Sequence, residues 1–440
     1  MADLARDVPN NIVAQKLPDT KEIGNENERL LFFTDVIIAI ALTLTAVSIH
    51  VETHVNRSLL LPYLYSLYPA ILTYGLSFFI TASYWNEHRR IFSYITRSDP
   101  LIIILNLLFL VFIVVLPITH HFYEANVALK TTTIAYYTIQ CLVGLCLFLL
   151  WGYASQRKHL LAADLPPALR TYITVHLLAL PLTFLLYVLL TIFFQPGVTA
   201  TVAIIFNLAW QGAQRLYMGA RHVRPAFNDI RRIPFFSDCV LALAITFTIT
   251  HIDLPSLGAH PSEQVVLRGL AVSLLSVNAY ITTFAAIAIH WFFHYRMFRY
   301  ITRSDGLLAY LNLAFLFGIV LLFIPGILYT YYARLPLVGQ IYYVYQTAIA
   351  FLLLLIWLYA SYKQRLLNTE LDSHELKTFT FQIVRNACIF LVSAVISFFS
   401  PITLGFLFYG VVYLLVIFLS FCGSRLRLRR RAQEPQQGAI

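Results

Sequence analysis

Between Leu101 and Thr119 the chain reads LIIILNLLFLVFIVVLPIT without one charged residue, and runs of this kind recur along its length. A helix needs ~20 apolar residues to cross the hydrocarbon of a bilayer, so lipid is the main solvent of this chain. The composition agrees: 59% of 440 residues are hydrophobic and 12% are charged, against roughly 25% charged in soluble domains. Outer-membrane barrels show a ~10-residue alternation of polarity that is missing here. Helices remain, because a helix satisfies its backbone groups within itself.

Apolar stretches bounded by charges, Pro or Gly centre near Ala41, Tyr74, Leu110, Gly144, Phe184, Phe206, Ile245, Val277, Phe317, Leu353, Ile389 and Tyr413. The expected fold class is therefore an all-α polytopic membrane protein with twelve transmembrane helices. With a cytosolic N-terminus, 26 of the 31 basic residues fall on the cytosolic side and three, Arg57, Lys130 and Arg334, on the other. Arg268 and Arg385 lie at or within span ends. So strong a positive-inside bias places both termini in the cytosol. It also accounts for the net charge of +10, and no nucleic-acid partner is needed to explain it. Residues 1–28 lack an apolar core and read as a cytosolic tail rather than a signal peptide.

The chain contains an internal duplication. HRRIFSYITRSD at 88–99 returns as HYRMFRYITRSD at 294–305, identical at nine of twelve positions. The same offset of 206 carries Trp85 onto Trp291, Asn106 onto Asn312 and WGYAS at Trp151 onto WLYAS at Trp357; upstream the offset is 203. This divides the chain into a tail (1–28), a six-span repeat (29–220), a cytosolic linker (221–231), a second six-span repeat (232–424) and a basic tail (425–440). Because six is even, the repeats run parallel, related by an axis along the membrane normal.

Each repeat opens with R-x-x-x-F-[ST]-D: Arg29, Phe33, Thr34, Asp35 and Arg232, Phe236, Ser237, Asp238. A carboxylate at the head of a long apolar helix must be paired or wet. Local scaffolding, interhelix locking, gating and contact with a transported species are all compatible with it. Trp85 and His88, with Trp291 and His294, lie three apart and share a helix face, which makes them candidate partners of that carboxylate. Asn106 and Asn312 offer interhelical hydrogen bonds, and Ser98-Asp99-Pro100 reads as a helix start. Further in, Ile40, Thr43 and Val47 fall on one stripe at ~100° per residue, as do Leu243, Thr246 and Thr250. Such a stripe could line a narrow pore or simply pack against neighbours, with Thr bonding back to its own helix.

Other chemistries find little support. The five cysteines sit in apolar runs without metal spacing and read as small core residues, and His120-His121 lacks a third ligand. Neither a metal nor a cofactor is expected. Phosphate-loop, nucleophile-elbow and H-E-x-x-H patterns are missing, so the chain does not read as an enzyme. The basic segment Arg425 to Arg431 suits anionic lipid head groups of the surrounding bilayer. No span carries the Arg-every-third pattern of a voltage sensor.

Two six-span repeats that open with R-x-x-x-F-[ST]-D and carry Trp and His late in their second span resemble the transmembrane protein 175 family of potassium channels, found in endosomes, lysosomes and prokaryotes. The resemblance runs from Arg29 to about Cys422. It implies a pore built from the first helix of four repeats, so that this two-repeat chain forms a homodimer lined by spans one and seven. The family's constriction, five residues after the motif Asp, falls on Ile40 and Leu243, and its threonine three further on falls on Thr43 and Thr246. Potassium ions, with protons as a second permeant, are the implied partners, and the motif residues are implied to tie helix ends together. The implied membrane is a prokaryotic plasma membrane or that of an endosome or lysosome. Thr34 stands where the family usually has Ser, and Leu243 opposite Ile40 makes the implied ring chemically mixed. From topology alone, a secondary transporter with two six-span halves is the alternative; the uncharged stretch beyond each motif Asp favours a channel.

Overall fold

The structure, a computed structural model, describes residues 20–399 apart from 53–54, 158, 163–164, 222–229, 248, 250–261, 333–334 and 369–371. Among these residues the long regular elements are α-helices: α1 (Thr20–Thr45), α2 (Leu60–Ser66), α3 (Tyr68–Phe92), α4 (Pro100–Ala125), α5 (Lys130–Gln156), α6 (Pro167–Phe193), α7 (Pro196–Arg221), α8 (Arg232–Phe247), α9 (Glu263–Phe298), α10 (Gly306–Val320), α11 (Phe323–Tyr332), α12 (Pro336–Ser361) and α13 (Ser373–Phe399). Eight stretches of the described residues are long and apolar enough to cross a membrane, carried by α1, α2–α3, α4, α5, α6, α10–α11, α12 and α13. Helices α7, α8 and α9 stand where the sequence predicts spans six to eight. The span expected around Tyr413, and Cys422 and Arg425 to Arg431 beyond it, lie outside the described residues.

Local chemistry explains where these helices start and bend. Asp99 accepts from the Ile102 N–H at 2.9 Å with Pro100 at the first helical position, so α4 is capped where the ring's missing donor costs nothing. Asp305 caps α10 the same way through Leu308 at 2.9 Å. The apolar stretch of α10 and α11 is interrupted between Val320 and Phe323, just ahead of Pro325-Gly326; a proline ring clashes with the carbonyl four residues back and supplies no N–H. Gly326 serves a second purpose there: a Cβ on it would meet Thr283 Oγ1 at 2.7 Å, so α11 approaches α9 this closely only through glycine.

The duplicated sequence makes duplicated contacts. Trp151 and Trp357, both fully buried, donate to Thr174 and Thr380 at 2.9 Å. Tyr153 and Tyr359 donate to the capping carboxylates Asp99 and Asp305 at 2.6 and 2.5 Å. Isolated antiparallel bridges, Ile95 with Leu161 and Ile301 with Leu367, tie the connections at this end of each repeat. Helix α1 packs on α3, α4 and α8, so the first helices of the two repeats are neighbours. The cysteines depart from the expectation of uniform burial: Cys146 is buried, Cys141 and Cys239 are half-buried, and Cys388 is exposed on α13, because an apolar run facing lipid is exposed at the protein surface.

Candidate ion-conduction site

The first motif lies inside α1, near the start of its long apolar stretch, and the second at the head of α8, and each meets the late part of the following long helix. Trp85 Nε1 donates to Asp35 Oδ1 and Trp291 Nε1 to Asp238 Oδ1, each at 2.8 Å. Asn106 and Asn312 donate to the motif hydroxyls of Thr34 and Ser237 at 2.8 Å, and those hydroxyls donate back to Leu30 and Ile233 carbonyls. Their other amide atom, Oδ1, lies 2.8 Å from Nε2 of His88 and of His294. With the amide nitrogen committed to the hydroxyl, Oδ1 must accept, so each imidazole carries its proton on Nε2. The asparagines, which the sequence suggested only as structural pairs, are thus the hinge of each network; their recurrence at the same offset was the available signal.

The two networks differ in what completes them. In the first, Arg232 reaches across from α8: its Nε donates to Asp35 Oδ2 at 3.0 Å, its Nη2 pairs with Oδ1, and Nη2 also lies 3.2 Å from His88 Nδ1. Phe236 stacks on Trp85 with ring centroids 4.1 Å apart. In the second, Asp238 is half-buried with Trp291 as its hydrogen-bond partner, and His294 Nδ1 is buried without one. Trp291 is 38% exposed where Trp85 is 0%. Arg29, the counterpart of Arg232, is exposed, and Phe33, the counterpart of Phe236, is 49% exposed where Phe236 is 0%.

The same inversion continues along both helices. On α1 the face with Asp35, Ala39 and Thr43 is buried, while their equivalents Asp238, Ala242 and Thr246 are open or half-open. On α8 the face with Phe236, Val240 and Phe247 is buried, while Phe33, Ile37 and Leu44 are open or half-open. One face of α1 therefore packs on the other face of α8, which makes the contact head-to-tail. Ile40 and Leu243 keep the same half-buried state in both copies, as do Val36 and Cys239 one turn before them. Of the stripes read from the sequence, Thr43 is closed off by its neighbours, Val47 is exposed in a 3-10 turn (Ala46–Ser48) that ends α1, Thr246 is exposed, and Thr250 lies outside the described residues. Thr43 Oγ1 donates to the Ala39 and Ile40 carbonyls and Thr246 Oγ1 to Leu243, each at 3.0 Å. With the proton committed to the helix, the oxygen presents only lone pairs, the polarity a cation requires.

One cluster was missed from sequence. Arg89 and Arg90 lie buried in the last turn of α3 with Glu87. Glu87 binds Arg90 and His176 of α6, each at 3.2 Å. In the second repeat Phe293 replaces Glu87, and Arg296 donates instead to Gln382 at 2.7 Å. The one cue was a position where the repeats disagree.

Comparison with known proteins identifies the relatives. Residues 29–117 and 232–325 match the family model described as the endosomal/lysosomal potassium channel TMEM175. A potassium channel of Chamaesiphon minutus is 31% identical over 203 residues, covering 44% of this chain and 96% of that protein. The human endosomal/lysosomal proton channel TMEM175 is 24% identical over 325 residues, 67% of this chain and 64% of that protein, so this chain spans less than two thirds of the human relative. Among solved structures, a lysosomal potassium-selective channel TMEM175 homologue from Chamaesiphon minutus aligns with 28% identity and a TM-score of 0.35, over 43% of this chain and 95% of that chain.

Proposed function

The chain belongs to the TMEM175 family, and from that premise we propose that it is a potassium-permeable cation channel, with protons as a second permeant, that conducts passively through an aliphatic constriction. It works as twelve spans in two six-span repeats, 29–220 and 232–424, with both termini cytosolic and no catalytic chemistry. The observation that carries this reading is the head-to-tail contact of α1 with α8. A heterologous contact leaves one open face at each end and closes only if rotation brings a second copy into register. Two copies give the order α1, α8, α1, α8 around an axis, a homodimer. In it Arg29 of the second copy supplies what Arg232 supplies within the chain, reaching Asp238 and the buried Nδ1 of His294, and Phe33 of the second copy covers Trp291.

In that ring Ile40 and Leu243 face the axis as the narrowest layer, an apolar constriction of the kind that gates by dewetting. The oxygens of Thr43 and Thr246 lie one turn beyond, at the seams between neighbouring helices. Val47 and Thr250 border the path after them. The motif residues lock helix heads and do not touch the ion.

The test is potassium flux from purified protein in liposomes with sodium on the opposite side. A reversal potential near the potassium value is expected. Ile40→Asn combined with Leu243→Asn should raise flux about 3- to 10-fold and loosen selectivity by wetting the constriction. Unchanged flux would remove these residues from the pore. A saturable flux driven by a second ion's gradient would mark a transporter instead.

A further inference from the structure

Each motif contains one aromatic residue that the lock does not use. Both repeats carry two adjacent phenylalanines ahead of the motif hydroxyl and carboxylate. The second of each pair belongs to the lock, as the stacking of Phe236 on Trp85 shows. The first, Phe32 or Phe235, falls on a free position of R-x-x-x-F-[ST]-D. Phe32 is 54% exposed and Phe235 is half-buried. Their rings meet each other, with centroids 4.0 Å and planes 33° apart. One turn outward, Arg231 Nη1 lies 3.1 Å from Glu28 Oε1. Both contacts join positions 203 apart, the offset between the two motifs.

Contacts between equivalent positions fix a location. Where rotation about an axis carries one helix onto its neighbour, equivalent atoms are separated in proportion to their distance from that axis, so equivalents touch only close to it. In the ring α1, α8, α1, α8, the pairs Phe32 with Phe235 and Glu28 with Arg231 therefore belong beside the axis, the charged pair outermost. For a quarter turn, rings 4.0 Å apart stand about 3 Å from the axis, and rings on opposite sides about 6 Å from each other. The row continues inward at i+4 spacing through Val36 and Cys239 to Ile40 and Leu243, along the ridge by which helices commonly pack. Phe32 and Ile40 are eight residues apart, about 12 Å of helix.

We infer that Phe32 and Phe235, with their copies in the second chain, form an aromatic collar, a second apolar constriction in series with Ile40 and Leu243 on the side of the motifs. The two constrictions enclose a short chamber bordered by Val36 and Cys239. This rests on the channel and dimer reading above. An apolar collar so close to the axis excludes water and obstructs a hydrated cation. Exposed side chains change rotamer within nanoseconds, so the ring of Phe32 can swing aside, and Ile40 and Leu243 remain the narrowest fixed layer.

Cys239 reports on the collar. The probe is 2-(trimethylammonio)ethyl methanethiosulfonate, a bulky cation that forms a mixed disulfide with a thiol and releases methanesulfinate. It is applied from the side of the motifs to excised patches of the full chain, where it should block wild-type potassium current slowly. In Phe32→Ala with Phe235→Ala, current should rise at least about 3-fold and block should be at least about 10-fold faster. Adding Cys239→Ser should remove the block. Wild-type block as fast as in the alanine pair, or block that survives Cys239→Ser, overturns the inference. Should the pair not assemble, Phe32→Ala alone, at an exposed position, carries the same two readouts. If no current is seen in any variant, the channel reading fails first. The collar is then judged by mass spectrometry of the purified dimer in nanodiscs, where the alanine pair must label at Cys239 at least about 10-fold faster than the wild type. Equal labelling overturns the collar, and a protein that stays monomeric overturns the dimer and the collar together.

Discussion

The two repeats carry one lock and use it differently. In the first, every polar atom of the Asp35, Trp85, His88, Asn106 and Thr34 network meets a partner, and the decisive one comes from the other repeat, through Arg232. In the second, the equivalent Trp291, His294, Asn312 and Ser237 are all in place, and the network stops at the point where an arginine belongs. The open site is as fully built as the closed one. The contrast teaches that the first lock joins helices from different repeats, and that among the described residues the chain completes that one alone.

The strongest way to break the contrast is to remove the shared arginine. Arg232→Ala breaks a buried ion pair, leaving the Asp35 charge uncompensated and His88 Nδ1 without a donor, and should destabilise the fold by about 3–5 kcal/mol, seen as a large drop in thermal stability in detergent. Arg29→Ala should leave the unfolding of a single chain nearly untouched and shift the proposed dimer toward monomer by about tenfold or more, measured by mass photometry. Loss of that difference between the two arginines would dissolve the asymmetry described above. A sharper version exchanges charges: Arg29→Asp or Asp238→Arg alone should weaken the dimer, and the double exchange should recover much of it, the coupling expected of a direct pair.

Next in size is the histidine comparison. His88→Phe leaves both Arg232 and Asn106 short of a partner, a cost of about 2–4 kcal/mol, while His294→Phe deprives Asn312 only, about 1–2 kcal/mol in the isolated chain. Equal losses would mean that Arg232 gains nothing from His88.

The smallest effects should be symmetric or local. Thr174→Val and Thr380→Val each leave a buried indole N–H unpaired within its own repeat, and should cost the same, about 1–2 kcal/mol. The Asp99 carboxyl is held below the ordinary carboxylate range: burial pushes it up, but the Tyr153 hydroxyl, the Ile102 N–H and Arg157 outweigh that. A depressed carboxyl stabilises the fold above its unfolded value of ~3.9 and loses that contribution as pH falls through the lower folded value. Unfolding midpoints should therefore fall only below about pH 4 on this account, and Tyr153→Phe should flatten the fall. Asp99 is only half-buried, so the effect is small.

Much of this molecule was legible from residue order. Long apolar runs located the helices, and the offset of 206 predicted that Trp85 and Trp291, or Tyr153 and Tyr359, would find equivalent partners, because identical local sequence on equivalent helices presents identical faces. Asp99 and Pro100 announced the head of α4. What could not be read is which motif is completed inside the chain: Arg29 and Arg232 stand in the same motif, and their difference lies in neighbours nearly two hundred residues away. Nor could periodicity separate Thr43 from Thr246, since burial of a helix face depends on what packs against it. The break before Pro325 was equally hidden, because Pro117 sits inside an uninterrupted α4.

One consequence of the half-buried positions Ile40 and Leu243 concerns shape. In the homodimer proposed above they would alternate around a two-fold axis, so one diameter of the proposed narrowest layer would be spanned by two isoleucines and the perpendicular one by two leucines. A β-branched side chain on a helix is confined almost entirely to one χ1 well, whereas leucine, branched a carbon later, keeps more freedom. The proposed opening would then be a slot with one stiff width and one compliant width. An ion would meet a fixed limit along the first and a yielding one along the second, and either could be adjusted by mutation without disturbing the other.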